Sequence, residues 1–340
     1  VIDLLPDAEE AEIIGTIGRM LADTRPLERF RVAVNDQPKA DADVVPALAE
    51  LGAPSLGLPQ AAGGLGLSHA VEAMAFREYG RVLVSPAILG AVIGARIAAD
   101  NGDDALAARL VSGEARCGLG IAERAGQDGV LTGPLQFFEC GRERLALVWT
   151  SEFAGLYDAS GLDVRAARGL DETLTMEVAE ASALAPRYVS HADRGATPLA
   201  ATLYSAAMLS GMAEAVRDMA SAYARVREQF GKPIGHFQAV KHKCADMALH
   251  AEAAWCETIY AALDLDVGGA GAAFHVLNAK MLAARTAIAS AKENIQVHGG
   301  MGYTTEVPAH HFIKRARVLG EIGPTSRDIP RTILDLPVTN

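Results

Sequence analysis

The sequence predicts an α+β multidomain chain: an N-terminal all-α domain over residues 1–114, a middle β-barrel-like domain over 115–195, and a C-terminal four-helix bundle over 196–340. Three observations lead there. Half of the 340 residues are hydrophobic but only 5% are aromatic, and Ala supplies much of the difference, which favours close-packed helices over a β-sandwich. From about residue 196 onward, long segments place apolar residues three and four apart. Between about 115 and 195 the apolar runs are short, often alternating, and broken by Gly, Asp and Arg. A chain of this length exceeds one ordinary core, so two or three domains are expected.

In the first region "VEAMAFREYGRVL" and "DALAARLVSG" read as short amphipathic helices, separated by 20 residues from each other and preceded by a Gly/Pro-rich loop, "GAPSLGLPQAAGGLGLS" (52–68). In the second, "CGLGIAE", "GVLTGPLQFF", "RLALVWTSE" and "ETLTMEVAEASAL" read as strands. In the third, one helix carries Leu209, Met212, Val216, Met219 and Tyr223. The next carries Phe237, Val240, Cys244, Met247, Ala251 and Ala254, and a third carries Phe274, Leu277, Met281, Ala284, Ile288, Ala291 and Ile295. Three such segments joined by short turns predict an antiparallel bundle, closed by at least one more helix.

Charge and cysteine content exclude several functions. A net charge of −11 argues against a nucleic-acid partner, which needs a clustered Lys/Arg footprint. Cys117, Cys140, Cys244 and Cys256 show neither CxxC nor ligand-like spacing, so disulfides and zinc are not expected and a reducing cytoplasm fits. The acidic start, "VIDLLPDAEEAEII", lacks the basic and apolar regions of a signal peptide. The uncharged run 196–213 is too rich in Ala, Ser, Thr and Gly for a membrane span and reads as a buried bundle helix.

Motifs for chemistry by protein groups alone are scarce. "GGLG" (63–66), "GGAGA" (268–272) and "GGMG" (299–302) lack the strand, helix and downstream acid of a dinucleotide fingerprint. His310 and His311, adjacent on a helix, should diverge and read as a surface pair rather than a metal site. No GxSxG is present. One stretch exceeds its structural need: "REQFGKPIGHFQ" (227–238), between two helices. Gly231 and Pro233 suit a turn, but Arg227, Gln229, Phe230 and Gln238 read as groups that meet something outside the bundle. In "NIQVHGGMGYTTE" (294–306) the adjacent glycines end a helix and would also let a backbone approach a flat or charged ligand.

These two rear motifs, 69 positions apart from Arg227 to Gln296, together with the front loop "LAELGAPSLGLPQAAGGLG", resemble the acyl-CoA dehydrogenase family over nearly the whole chain. The resemblance implies a dimer or tetramer of such subunits and non-covalent FAD. It also implies α,β-dehydrogenation of an acyl-CoA thioester in fatty acid or steroid catabolism, with electrons passed to an electron-transfer flavoprotein. In the family the flavin is shared across a dimer interface. The resemblance therefore assigns Arg227, Phe230, Gln296 and Gly300 to the neighbour's FAD, and an Arg fork suits a diphosphate.

The groups implied for this chain's own flavin depart from the family pattern. "AERAGQD" (122–128) keeps Glu123, Gly126 and Asp128 of a "TEPxxGSD"-like segment but loses its Thr, Pro and Ser. "FFEC" (137–140) aligns with "WxTN", so Phe137 is the expected stacking surface and Glu139 replaces a hydroxyl. Thr325 anchors "EIGPTSRDIPR" (321–331) on the family's "YEGTxxIxR", leaving Gly323 or Pro324 where the catalytic Glu belongs. The alternative family position falls near Ala201, again with no carboxylate. No catalytic residue is therefore assigned, and Glu321 is the fallback. Three readings stay open: the non-catalytic subunit of a hetero-oligomeric dehydrogenase, a homo-oligomer using Glu321, or a flavin-free acyl-CoA-binding scaffold.

Overall fold

The computed structural model describes residues 6–32, 36–37, 41 and 43–336; the first five residues of the acidic start lie outside them. Helices α1 (Ala8–Thr24), α2 (Val44–Ala49), α3 (His69–Arg81), α4 (Ala87–Asp100) and α5 (Asp104–Val111) form the front. α1 starts on a capping box: the Asp7 carboxylate accepts the Glu10 N–H at 2.8 Å, and the Asp7 N–H donates to the Glu10 carboxylate at 2.9 Å.

Seven strands follow: β1 (Cys117–Ala125), β2 (Leu131–Phe138), β3 (Leu145–Trp149), β4 (Phe153–Asp158), β5 (Arg165–Ala167), β6 (Met176–Leu184) and β7 (Tyr188–His191). They form one sheet in the order β5-β6-β2-β1-β3-β4-β7, antiparallel except for the β1–β3 pair. Alternation decides its two faces. Leu119, Phe138, Leu147, Trp149 and Leu156 join the main core beneath the helices, whereas Leu135, Phe137, Val148, Phe153, Tyr157 and Ala179 pack on one another in a second core. That residues from β2, β3, β4 and β6 meet in one cluster requires the sheet to curl around it.

The rear consists of α6 (Thr197–Val226), a two-stranded hairpin β8 (Glu228–Gln229) and β9 (Lys232–Pro233), then α7 (Gln238–Asp266), α8 (Ala272–His298), α9 (Ala309–Glu321) and α10 (Ile329–Leu334). α6 is long and apolar enough to cross a membrane, but 89% of its most apolar window is buried inside the protein. Its small residues explain the low aromatic content. A Cβ at Gly80 would lie 2.0 Å from the Met208 carbonyl oxygen, and one at Gly211 would lie 2.0 Å from that of Arg77. α3 and α6 therefore touch backbone to backbone, clamped by Arg77 and Arg81 on the fully buried Glu214 at 2.7 and 2.9 Å.

α6 and α8 run parallel and in register. Ser205 pairs with Lys280, Met219 with Asn294 and Tyr223 with His298, each 75 positions apart. Lys280 is 1% exposed; its ammonium donates to Ser205 Oγ at 2.5 Å and to the Leu319 and Ile322 carbonyls at 2.6 and 3.3 Å. It thereby fixes the C-terminus of α9, and burial lowers its pKa to about 7.

Contrary to the expected divergence, His310 and His311 converge. Their ring centroids lie 4.1 Å apart, and His311 is buried at 3% exposure. Both sit in the first turn of α9, where the loop before β6 closes over them.

Candidate functional site

The parallel register of α6 and α8 brings their C-terminal ends together, so the two rear motifs become neighbours. The Tyr223 and His298 rings stack there at 4.2 Å. Beyond Val226 the chain makes a hairpin whose two-residue loop is Phe230–Gly231, with φ of 55° and 77°. Two successive positive φ values are what a type I′ turn requires. Phe at the first of them is strained, and its side chain is 90% exposed, its ring standing nearly perpendicular to that of Phe237 with centroids 6.0 Å apart. Arg227 is exposed and its guanidinium has no ion-pair or hydrogen-bond partner among the described residues. Beside it, Gln296, Gly299 and Gly300 are exposed, and a Cβ on either glycine would meet nothing within 4 Å. Val226 and Tyr303, 75% and 76% exposed, extend the apolar part of this face. Backbone strain and exposed aromatic surface thus coincide on one face.

About 12 Å back along α8, the rise over the eight residues from Ile288 to Gln296, the same bundle meets the sheet. A cleft of about 390 Å³ opens there between Ile121, Phe138 and Met176 on one side and Ile288, Val318 and Glu321 on the other. Glu321, the fallback base, is exposed at the last position of α9 and borders this cleft. Gly323 follows in the left-handed region at φ 71°. A Cβ there would fall 2.3–2.7 Å from the Trp149 ring. Trp149 is 2% exposed, held by its indole N–H donating to Thr202 Oγ1 at 3.2 Å, and Ala201 beside it is fully buried. Two of the three backbone positions at which the resemblance looks for a carboxylate are thus closed, Gly323 by an indole and Ala201 by the α6 core.

Other expected flavin contacts are displaced. Phe137 faces the interior of the sheet, and Phe138 is the aromatic that reaches the cleft. The reason is strand parity: side chains alternate, so the one-residue choice within "FFEC" selects the opposite face. Glu139 turns inward at φ 61° and 3% exposure. Its carboxylate accepts from Arg116 at 2.8 Å, Ser85 Oγ at 3.2 Å, and the Thr175 N–H and Oγ1 at 2.6 and 2.8 Å. It fastens the helical front to the sheet rather than lining the cleft. Glu123 is exposed near the end of β1, and Gly126 and Asp128 lie on the exposed β1–β2 turn, where the Asp128 carboxylate accepts the Val130 N–H at 3.1 Å. Thr325 caps the turn into α10: its Oγ1 donates to Asp328 Oδ2 at 2.6 Å and accepts the Arg327 N–H at 3.2 Å.

Two sequence-family models match, the acyl-CoA dehydrogenase N-terminal domain over residues 9–116 and the acyl-CoA dehydrogenase C-terminal domain over residues 200–330, together well over half of the chain. The chain belongs to the acyl-CoA dehydrogenase family. Among its relatives, the acyl-CoA dehydrogenase FadE34 of Mycobacterium tuberculosis is 46% identical over 125 residues, 36% of this chain but only 17% of FadE34. The acyl-CoA dehydrogenase IpdE2 of the same organism is 29% identical over 287 residues, 84% of this chain and 83% of IpdE2. In fold, the chain matches a protein in the crystal structure of the ChsE4–ChsE5 complex from Mycobacterium tuberculosis with a TM-score of 0.79 and 23% identity, covering 99% of this chain and 100% of that one.

As an acyl-CoA dehydrogenase family chain it presents two unlike faces. The hairpin face offers a cation with no partner among the described residues, an exposed aromatic ring and open glycine backbone, a donor set that fits a flavin diphosphate and ring. The cleft offers Phe138 and Gln136, and Glu321 is the one carboxylate among its described lining residues. Sequence reasoning missed Trp149 and Lys280, which shape the turn at Gly323. Trp149 sat in a run read only as a strand, and the sole clue to its role was glycine at the expected Glu position.

Proposed function

We propose that this chain is a subunit of an FAD-dependent acyl-CoA dehydrogenase that lends Arg227, Phe230, Gln296 and Gly300 to the flavin of a related, catalytic subunit. The observation that carries this reading is the contrast between the faces: a strained, solvent-facing Phe230 beside an unpaired Arg227, and an indole packed where a base would stand. In the family the flavin, when bound, supplies the hydride acceptor for α,β-dehydrogenation of an acyl-CoA thioester. The contribution of this chain is binding: the Arg227 fork holds diphosphate oxygens, Phe230 covers apolar cofactor surface, and the Gly299–Gly300 backbone permits close approach. General-base catalysis is worth about 10²–10⁴-fold, so the missing carboxylate argues for proton abstraction in the partner. The likeness in fold to a protein of the ChsE4–ChsE5 complex, a pair of distinct proteins, supports a hetero-oligomer. Fatty-acyl or steroid-side-chain thioesters are the proposed substrates, in the cytoplasm, with an electron-transfer flavoprotein as acceptor.

A second reading, a homo-oligomer using Glu321, is favoured by the position of that carboxylate at the cleft. Purification alone and with the candidate partner separates the readings. Flavin and activity only on co-expression support the first. Acyl-CoA-dependent flavin bleaching by this chain alone, abolished by Glu321→Gln, supports the second. Colourless, inactive protein in both preparations rules out both and leaves a scaffold. Under the first reading, Arg227→Ala lowers the flavin content of the complex; undiminished flavin in that variant would remove its main support.

A further inference from the structure

We propose that Glu172, His310 and His311 form a divalent-metal site of the zinc class where the loop between β5 and β6 meets the first turn of α9. This is independent of the flavin reading. One ligand atom from each residue lies within 4.8 Å of the other two. His311 Nδ1 is 3.7 Å and His310 Nε2 3.9 Å from the same carboxylate oxygen, Glu172 Oε1. Donor atoms of a tetrahedral zinc site, at about 2.0–2.1 Å from the metal, sit about 3.3–3.4 Å apart, so modest rotations of the imidazoles close the set.

Three features favour a metal over an incidental polar cluster. His311 Nδ1 is buried with no hydrogen-bond partner among the described residues, a costly state for a polar atom unless something else satisfies it. The ligand set is preorganised: one turn along α9, Arg315 Nε donates to Asp171 Oδ2 at 2.5 Å and Nη2 to Thr173 Oγ1 at 2.6 Å, locking the loop residues on both sides of Glu172. A route in exists, because Glu172 and Lys314 line a cavity of about 780 Å³. Two imidazoles and one carboxylate suit zinc and its borderline neighbours better than magnesium or calcium, which prefer all-oxygen shells. Three protein ligands leave a position for water.

Lys314 defines the competition. Its ammonium now bonds Glu172 Oε1, so a metal must displace it. Occupation would staple the β5–β6 loop to α9. That loop carries Arg168 and Gly169, which line both this cavity and the cleft bordered by Glu321, so the metal would fix one wall of the cleft.

The test is titration of the full chain with Zn²⁺ by calorimetry, with Co²⁺ as a spectroscopic probe of ligand geometry. The expected result is one saturable equivalent per chain with a tetrahedral Co²⁺ spectrum. His310→Ala and Glu172→Gln, both at partly exposed positions, should each weaken binding at least about tenfold, the lower end of what even an outer-shell partner costs. Lys314→Met should tighten it, because the competing ammonium is gone. Unchanged circular dichroism melts in the three variants exclude unfolding as the cause. No saturable binding above that of the Glu172→Gln/His310→Ala double variant, or binding indifferent to Glu172→Gln, overturns the proposal.

Discussion

Replacing Phe230 with glycine separates what the hairpin does for this chain from what it does for a partner. A non-glycine residue in the left-handed region costs about 1–2 kcal/mol, which glycine relieves. Glycine gives back about 0.5–1 kcal/mol through the freedom of the unfolded chain. The edge contact to Phe237, in a pair that is largely solvent-exposed, offsets part of the remainder. The net change in the stability of the isolated chain should therefore stay within about 1 kcal/mol of zero. Assembly behaves differently. A Phe side chain carries about 150–250 Å²; burying the 90% now exposed at about 25 cal/mol per Å² gives about 3–6 kcal/mol as an upper bound. Phe230→Gly should accordingly weaken the complex by up to about two to four orders of magnitude, with loss of flavin, and leave the urea midpoint of the separate chain nearly unmoved. Sedimentation equilibrium with flavin absorbance reads the first effect, and chemical denaturation the second. A destabilisation of the separate chain above about 2 kcal/mol, or an unaffected complex, would show that the hairpin serves this fold and not a neighbour.

Three further outcomes follow from other sites. Lys280 has a folded pKa of about 7 against an ordinary 10.5, so above pH 7 the unfolded chain holds a proton that the folded chain sheds, and stability must rise with pH across that window. The stability of the native chain relative to Lys280→Met should grow by roughly 5 kcal/mol between pH 7 and 10.5; a flat difference in paired denaturation curves would refute the assignment. Gly323→Glu alone should give no dehydrogenase activity and cost about 2–5 kcal/mol, summing left-handed strain with overlap on the Trp149 ring. Gain of activity at unchanged stability would mean that the indole moves freely. Gly80→Ala should cost about 1–3 kcal/mol or more, since its Cβ meets a helix carbonyl at 2.0 Å; a thermal midpoint shift of a degree or less would contradict the close helix contact.

Large-scale order was legible because it rests on periodicity. The three-and-four spacing of Leu209 to Tyr223 and Phe274 to Ile295 reports a buried stripe wherever it occurs, and the alternating runs after residue 115 report strands. Site details depended on things a linear pattern does not encode. Which of Phe137 and Phe138 faces the cleft turns on strand parity next to the left-handed Glu139. The inward turn of Glu139 depends on Ser85, Arg116 and Thr175, which come from distant parts of the chain. His310 and His311 converge because Glu172, on a loop more than a hundred residues earlier, closes over the start of α9. The bareness of Arg227 was legible in advance, since its motif offered more polar groups than a turn could use.

The glycine contact between α3 and α6 has a mechanical consequence. Two helices whose main chains touch, with a buried carboxylate gripped by two arginines across the seam, cannot slide past each other without breaking both. The front helices and the bundle must therefore travel as one block. Any widening of the cleft to admit a large molecule has to come from the sheet side, through the segment joining β5 to β6, and hydrogen exchange during loading should be confined to that segment.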